Sequence, residues 1–197
     1  DMSWSNLKRG AEDAAADLNV NVRFVASLEG NTAEEQLELL EKEMEGSDAV
    51  LISPVNRILM KDPILKLSKN KTPLLMFESG ISGENEIPLL CCDNEQMGRD
   101  MAQAMINHGN IREKIIIFSG NGICSSVTER QKGFLSVMEE TDNQCMIVSA
   151  GSFQPEAISE ILTVEEPDAV IALDDRIVEN LTKAGRIYRQ ENTGKKL

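Results

Sequence analysis

Polar side chains recur directly after the short apolar runs of this sequence, where hydroxyl, amide and carboxylate groups could bind a ligand. They are Ser53, Glu78, Asp93 with Asn94, residues 119–122, residues 151–153, and Asp174 with Asp175, and Asp1, Ser3 and Trp4 join them in the segment that enters the first predicted helix. Since ligands of open parallel sheets bind at the carboxyl ends of strands, we expect these groups to converge. Most of them are neutral or acidic, which favours hydroxyl-rich or cationic ligands over phosphate.

Each of these candidates also has an ordinary structural explanation. Asp93 and Asn94 are residue types that cap a helix N-terminus, a role that can coexist with ligand binding. Arg130 lies in a predicted helix between charged neighbours, where a surface ion pair is common. Glu78 beside a glycine-rich loop can be solvated, and Trp4 can simply cover the protein surface. Residue types alone therefore leave both interpretations open.

Residues 119–126 form a strand–turn–helix pattern that invites comparison with catalytic motifs. The segment lacks the glycine spacing of dinucleotide and phosphate loops and the G-x-S-x-G pattern of a nucleophile elbow. Cys124 has no histidine after it in the sequence, and His108, which precedes it, is interpreted as a helix C-cap or surface residue. Asp174 and Asp175 lack the third carboxylate motif expected of a magnesium site. The sequence therefore predicts a protein that is not an enzyme.

The sequence contains few residues that could bind a metal ion or a cofactor. The cysteines, Cys91, Cys92, Cys124 and Cys145, contain no C-x-x-C pair, and the sequence has a single histidine to add to them. The adjacent Cys91 and Cys92 would pair with each other only under strain. We therefore expect no metal and no cofactor, and cysteine usage does not identify the cellular compartment.

The composition argues against two classes of partner. In 197 residues, 33 acidic and 20 basic side chains give a formal net charge of −13, and the sequence pI is about 4.6. Nucleic acid and anionic membranes both require a basic face, so we expect this segment to contact neither. No stretch approaches the roughly 20 consecutive apolar residues that span a bilayer.

Apolar runs alternate with amphipathic patterns along almost the whole chain. Helices are predicted at residues 5–18, 32–45, 57–67, 94–108, 125–140, 155–162 and 175–185, and strands at 20–27, 48–53, 74–77, 89–92, 114–119, 145–149 and 169–173. Thr32 and Glu35 form a capping-box pattern at the start of the second helix. Strands separated by helices at this spacing imply right-handed crossovers and parallel sheets covered on both faces.

Loop chemistry with two glycines and a proline interrupts this pattern at residues 78–88. We therefore predict two α/β lobes, residues 1–88 and 89–197, each a parallel sheet flanked by helices. Both ends look cut, since no strand precedes the first helix and residues 186–197 are polar where a further strand is expected. The chain is therefore expected to be a fragment that is truncated at both ends.

Seven segments of the sequence, in one order and spacing, resemble a known family. They are residues 4–15 (WSNLKRGAEDAA), 31–36 (NTAEEQ), 48–54 (DAVLISP), 72–75 (TPLL), 92–98 (CDNEQMG), 128–134 (TERQKGF) and 168–175 (DAVIALDD). Together they are similar to the type I periplasmic sugar-binding proteins of the ribose and galactose class, whose fold is shared by LacI-type regulators. The resemblance covers nearly the whole chain and implies a two-lobed fold that closes on a small polyol by hinge bending.

The resemblance also implies which positions line the pocket. The family's ligand-binding positions fall here on Asp1, Ser3, Trp4, Ser53, Glu78, Cys92, Arg130, Phe153 and Asp174. Glu78 and Arg130 would make charge-assisted hydrogen bonds to sugar hydroxyls, and aromatic rings would cover the apolar face of the sugar. Two positions depart from the family pattern, since Ser3 replaces an expected aromatic and Ser79 an expected arginine. These departures predict a wider pocket, or a ligand other than a common pentose or hexose.

The function that this resemblance implies is capture of a small sugar-like ligand outside the cytoplasm, in the periplasm or on a membrane-anchored lipoprotein. The expected partner is an ABC-transporter permease, or a membrane sensor kinase where the same fold serves as its sensing domain. The alternative is the effector domain of a cytoplasmic LacI-type transcriptional regulator. A doubly wound enzyme is a third class, which any catalytic turnover would favour.

Overall fold

Helices and parallel strands follow one another in the order that the apolar pattern predicts, except that residues 20–26 form no strand between the first two helices. The computed structural model describes residues 2–26, 32–81, 83, 87–108, 114–120, 124–149 and 153–191, with the side chains of residues 2, 3, 175, 176, 190 and 191 outside that description. The helices are α1 (Met2–Leu18), α2 (Ala33–Met44), α3 (Lys61–Leu67), α4 (Asn94–His108), α5 (Ser125–Met138), α6 (Pro155–Glu165) and α7 (Asp175–Glu191). The strands are β1 (Val50–Ile52), β2 (Leu74–Phe77), β3 (Leu89–Leu90), β4 (Lys114–Ser119), β5 (Gln144–Ser149) and β6 (Ala169–Ala172). The predicted α/β class, with parallel sheets flanked by helices, is confirmed.

The first sheet has the strand order β1-β2-β3, and its strands are parallel. Because β2 is central, Leu74 and Met76 are buried, whereas Leu51 on the β1 edge is 62% exposed. The core beneath this sheet is completed by Leu40, Met44, Ile52, Met60 and Ile64. β3 pairs with β2, so the first sheet extends to Leu90, and a division of the chain at residue 88 stays a prediction.

α2 begins with the capping box that the sequence predicts. The Thr32 hydroxyl accepts a hydrogen bond from the Glu35 backbone N–H, and the Glu35 carboxylate accepts one from the Thr32 N–H, each at 3.2 Å. In the same turn, the Gln36 side chain donates to the Ser53 carbonyl at 2.8 Å and accepts from the Val55 N–H at 2.9 Å. The first turn of α2 therefore fixes the loop after β1, in which Ser53 lies.

The second sheet has the order β5-β4-β6 and is also parallel. Its central strand is fully buried from Ile115 to Phe118. Ile116 and Phe118 pack with α6 and α7, whereas Ile115 and Ile117 pack with α4 and α5. Successive side chains of a strand point to opposite faces, so this alternation places helices on both sides of the sheet.

α4 and α5 cross closely because each presents a glycine at the contact. A Cβ on Gly98 would lie 2.0 Å from the Arg130 carbonyl oxygen, and one on Gly133 would lie 1.9 Å from the Glu95 carbonyl oxygen. Only a hydrogen fits at these two positions, so the backbones of the two helices touch. The crossing brings the first turn of α4 beside Arg130.

The strand predicted at residues 20–27 is wrong for the part of it that the structure describes, residues 20–26. α1 ends at Leu18, and the chain leaves the helix at Asn19, whose φ is +53°. Beyond it, Val20, Val22, Phe24 and Val25 are between 42% and 54% exposed. A strand requires a hydrogen-bonded neighbour, and no described strand lies beside this segment, so alternation alone does not form one.

Two helix ends also differ from the prediction by four residues or more. α3 begins at Lys61 rather than at residue 57, because the Asn56 side-chain oxygen accepts from the Ile58 and Leu59 N–H groups, each at 3.0 Å, and forms a turn. α7 continues to Glu191 rather than ending at residue 185, because its last turns bury Tyr188 against the second core. The helices of the described ranges include none that is long and apolar enough to cross a membrane.

Candidate functional site

Glu78 stands at the carboxyl end of β2, the central strand of the first sheet. Its N–H donates to the Leu90 carbonyl at 2.9 Å, and its φ of +62° is a left-handed conformation that is unfavourable for a residue with a side chain. One carboxylate oxygen accepts hydrogen bonds from the Ser79 hydroxyl at 2.5 Å and from the Ser53 hydroxyl at 3.3 Å. The strand end therefore holds this carboxylate in one orientation.

Arg130 reaches the same place from α5. Its Nη2 lies 3.5 Å from the other carboxylate oxygen of Glu78, and its side chain is 19% exposed. Its Nη1 donates to the Leu173 carbonyl at 3.0 Å, and its Nε donates to the Asn94 side-chain oxygen at 2.9 Å. The guanidinium thus lies at the junction of the two sheets rather than on the outer surface of α5.

Asp174 follows Leu173 at the end of β6 and is 5% exposed. Its Oδ2 lies 3.5 Å from the position that a Cβ on Gly120, the residue after β4, would occupy. Asp174 is therefore next in the chain to the carbonyl that binds Arg130. The structure brings Ser53 and Glu78, at strand ends of the first sheet, close to Arg130 of α5, and Asp174 follows the residue whose carbonyl binds Arg130.

Neutral hydroxyl groups join the first sheet to the start of α5. The Ser79 and Ser126 hydroxyl oxygens are 2.9 Å apart, and the Gly80 N–H donates to the Ser125 hydroxyl at 2.9 Å. Because Ser79 donates its proton to Glu78, Ser126 is the donor to Ser79. The sequence analysis did not assign Ser125 and Ser126 to the site, although they follow β4 in the segment examined for catalytic motifs. We name these contacts the serine bridge.

Trp4 contacts an aromatic residue that the sequence analysis missed. Its ring meets Phe77 edge to face, with 5.8 Å between ring centroids and an interplanar angle of 82°. Phe77 directly precedes Glu78, and that position is the signal that could have identified it. Trp4 is 45% exposed, so it is accessible to solvent as well as packed on Phe77.

Two other predicted positions lie apart from these contacts. Phe153 is buried and packs edge to face on Phe118, with ring centroids 5.4 Å apart. Cys92 is exposed, and its carbonyl accepts a hydrogen bond from the Asn94 side chain at 3.2 Å. Their ligand-binding roles stay predictions. Asp1 and the side chain of Ser3 lie outside the described residues.

Adjacent Asp93 and Asn94 have different roles. The Asp93 carboxylate accepts from the Gln96 N–H at 2.8 Å and is exposed, which makes it a helix cap. Asn94 is 3% exposed and binds the Arg130 guanidinium instead. The capping interpretation of this pair therefore applies to Asp93, and Asn94 belongs to the site.

The groups that the structure brings together at the site are hydrogen-bonding groups: a carboxylate, a guanidinium, an amide and hydroxyls. Near them, partial burial, followed by electrostatic interactions with Glu129, Cys92, Glu78 and Asp93, raises the pKa of the Cys91 thiol above its ordinary value. All four cysteines lie in the described part of the chain, and none of them forms a disulfide. Across the described ranges, no group of three or more His, Cys, Asp or Glu side chains is placed to hold a metal ion.

A family model described as a periplasmic binding protein domain matches residues 1–188 of the chain. No curated protein sequence matches this chain. The fold is similar to that of a myo-inositol-binding protein from Caulobacter bound to myo-inositol, with a TM-score of 0.82 and 20% identity over 95% of this chain and 68% of that one.

Two further solved structures show the same fold. A carbohydrate-transporter solute-binding protein from Agrobacterium radiobacter, in complex with D-arabinose, has a TM-score of 0.80 and 19% identity over 98% of this chain and 68% of that one. The fructose-binding periplasmic domain of a hybrid two-component system has a TM-score of 0.76 and 19% identity over 85% of this chain and 58% of that one.

Proposed function

The chain belongs to the periplasmic binding protein domain family, and from this premise we propose that it captures a small, neutral, hydroxyl-rich molecule between its two lobes. This sugar-like ligand class is the one expected from the sequence. The prediction of a binding protein rather than an enzyme is confirmed by the family match. The effector domain of a cytoplasmic regulator is not favoured, because the matching family is periplasmic.

The observation that carries the proposal is the approach of Glu78 and Arg130 from different sheets. Their charged atoms are 3.5 Å apart, whereas a good charge-assisted hydrogen bond measures about 2.7–2.9 Å. A ligand hydroxyl can donate to the carboxylate and accept from the guanidinium at the same time. Two short hydrogen bonds to this hydroxyl would replace the single long contact between Glu78 and Arg130. Binding of the ligand would therefore stabilise the closed arrangement of the two lobes.

The charges of the site favour a neutral ligand over an anionic one. The Glu78 carboxylate already balances the guanidinium of Arg130, so this pair offers no unbalanced positive charge to an anion. A sugar acid or a phosphate ester would therefore bind less well than a neutral sugar. The exposed part of the Trp4 ring can cover the apolar face of a sugar ring, as aromatic side chains do. Asp1, Ser3, Cys92 and Phe153 complete the proposed pocket.

We place the protein outside the cytoplasm, with an ABC-transporter permease as its partner and a membrane sensor kinase as the other partner class. The arabinose-bound neighbour belongs to a carbohydrate transporter and the fructose-binding neighbour to a hybrid two-component system, which supports these two classes. Stimulation of a permease's ATPase or of a kinase's autophosphorylation by the liganded protein distinguishes them.

The test is thermal unfolding of the chain with myo-inositol, D-arabinose and D-fructose, with D-glucuronate as the anionic comparison. A sugar at 100 times its Kd adds about 2.7 kcal/mol to stability, which raises the midpoint by several degrees. We expect a neutral polyol to produce this shift and D-glucuronate to produce none.

A matched pair of arginine variants and one variant of Glu78 locate the binding site. Arg130→Ala is expected to abolish the shift, whereas Arg99→Ala, which removes an arginine bonded to Glu95 and Gln96 on α4, leaves it intact. Glu78→Gln keeps the shape of the side chain and is expected to weaken binding. A shift that survives in Arg130→Ala, or the absence of a shift with every neutral polyol, would overturn the proposal.

A further inference from the structure

Asn94 lies outside the predicted pocket positions but inside the network that holds Arg130. It is the first residue of α4 and is 3% exposed. Its Oδ1 accepts from the Arg130 Nε at 2.9 Å, and its Nδ2 donates to the Cys92 carbonyl at 3.2 Å. Because Nε–H can only donate and a carbonyl can only accept, the two partners fix which end of the amide faces each of them.

The three guanidinium nitrogens of Arg130 have separate partners. Nε bonds to Asn94 at 2.9 Å and Nη1 bonds to the Leu173 carbonyl at 3.0 Å. Nη2 lies at the longer distance of 3.5 Å from the Glu78 carboxylate. Both short bonds come from elements that flank or belong to the second sheet, so the orientation of the guanidinium is set there, and Nη2 is the nitrogen that faces the first sheet.

The close crossing of α4 and α5 lets Asn94 reach this position. Gly98 and Gly133 allow the two backbones to touch, one turn away from Asn94 and Arg130 respectively. A wider crossing would separate the Asn94 amide from the Arg130 Nε. The helix cap is supplied separately by Asp93, whose carboxylate accepts from the Gln96 N–H. Asn94 is therefore not needed to cap α4.

We propose that Asn94 is the positioning residue for Arg130. By accepting the Nε–H, it holds the guanidinium so that Nη2 faces the ligand space opposite Glu78 before any ligand binds. Its effect on affinity rests on the proposed function. Its effect on the arginine does not, because the contact between Asn94 Oδ1 and Arg130 Nε is made within the chain itself.

The first test reads the arginine directly, by NMR of the Arg130 Nε–H in the unliganded chain, with the resonance assigned from Arg130→Lys. We expect a resolved, slowly exchanging Nε–H in the wild type, and exchange accelerated at least about tenfold in Asn94→Ala because the acceptor is lost. Asp93→Ala is the matched control, since it removes the adjacent cap without touching the arginine. Asn94→Asp keeps an acceptor for Nε and is expected to restore slow exchange.

The second test measures affinity for whichever of myo-inositol, D-arabinose and D-fructose most raises the wild-type unfolding midpoint. We expect Kd to weaken by about tenfold in Asn94→Ala and to stay within about twofold in Asp93→Ala. Recovery of affinity in Asn94→Asp would support positioning over a merely structural role. Where Asn94→Ala does not fold, Asn94→Leu keeps the volume and removes the acceptor.

The two failures can be told apart. Wild-type exchange of the Arg130 Nε–H in both Asn94→Ala and Asn94→Leu overturns the positioning role. Loss of binding in Arg130→Ala together with unchanged binding in Asn94→Ala also overturns it, while the proposed function stands. If the wild type binds none of the three sugars, the proposed function fails, and the NMR result alone decides the role of Asn94.

Discussion

The two sheets present their charged groups to the site in different ways. Glu78 stands on a left-handed backbone at the end of β2, and its carboxylate is bound by hydroxyls from its own side, those of Ser53 and Ser79. Arg130 is bound by two separate elements, the first residue of α4 and the carbonyl that follows β6. The first group is held by two neighbouring strand ends of its own sheet, and the second is held by a helix N-terminus and a strand end that lie far from it in sequence.

The strands that support these groups differ in the same sense. In the second sheet, Ile115 to Phe118 of the central strand are fully buried, whereas in the central strand of the first sheet buried Leu74 and Met76 alternate with partly buried Leu75 and Phe77. A sheet whose central strand is buried on both faces gives a rigid frame beside which an arginine can be held by distant elements. The central strand of the first sheet is less completely covered, and its carboxylate is held by the strand ends of its own sheet. The contrast predicts that distant substitutions disturb Arg130 more than Glu78.

The largest effect is expected from truncation in the second core. Phe118→Ala removes a buried ring that packs on Phe153 and should lower the free energy of unfolding by about 3–5 kcal/mol. Leu51→Ala on the exposed edge of β1 should change it by less than about 0.5 kcal/mol. Equilibrium unfolding in urea measures both. Equal losses would contradict the difference between the sheets.

The helix crossing gives the next effect. Gly133→Ala forces a Cβ to within 1.9 Å of the Glu95 carbonyl, so α4 and α5 must separate, at a cost of about 1–3 kcal/mol. Gly10→Ala in α1 is the control, because nothing lies within 4 Å of its Cβ, and it should be neutral or stabilising by about 0.5–1 kcal/mol. Thermal unfolding tests the pair. A Gly133→Ala protein as stable as the wild type would show that the crossing can relax freely.

A smaller effect isolates the backbone at Glu78. Glu78→Ala and Glu78→Gly both remove the carboxylate, but alanine still occupies the left-handed conformation with a Cβ. We expect the glycine variant to be more stable than the alanine variant by roughly 1 kcal/mol. Urea unfolding of the two variants side by side measures the difference. An alanine variant of equal or greater stability would show that local strain does not hold this group.

The smallest effect is a pH dependence at the crossing. Hydrogen bonds from Lys132 at 2.7 Å and Arg99 at 2.8 Å lower the pKa of the Glu95 carboxyl below its ordinary value. A lowered folded-state pKa gives stability that is present above the unfolded pKa of about 4.3 and is lost as the pH falls through the folded pKa. Between about pH 5 and about pH 3 the wild type should therefore lose slightly more stability than Glu95→Gln.

The control for this pH series is Glu160→Gln, which removes an exposed carboxylate of α6. The effect is small because the Glu95 pair with Lys132 is exposed and screened by solvent. If the wild type and Glu95→Gln lose the same stability as the pH falls, the Glu95–Lys132 pair does not stabilise the crossing of α4 and α5.

The order of the elements and the parallel sense of both sheets could be predicted from the sequence, because they depend on apolar periodicity and crossover length. The capping box at Thr32 and Glu35 was also predictable, because both of its partners lie within one helical turn. Residues 20–26 were mispredicted because a strand needs a neighbour, which no local pattern supplies. α7 was predicted too short because Tyr188 is buried by residues of other elements, and the local sequence pattern does not show those contacts.

The candidate site was predictable only in part. Strand-end position and the family resemblance brought Ser53, Glu78, Arg130 and Asp174 into one set, and the structure places them at one junction. The role of Asn94 was not predictable, since Asp93 and Asn94 are both capping residue types. The different roles of Asp93 and Asn94 depend on the close crossing of α4 and α5 at Gly98 and Gly133. The spacing of two distant glycines in the sequence does not indicate that the two helices touch there.

The serine bridge has a consequence for how the junction opens. Its donors and acceptors, the hydroxyls of Ser79, Ser125 and Ser126 and the Gly80 N–H, carry no formal charge. Water can replace each partner with nearly the same enthalpy, and dissolved ions do not screen such contacts as they screen charge pairs. The serine bridge is therefore governed by hydration, and dissolved salt acts on this junction through the Glu78–Arg130 pair rather than through the hydroxyls.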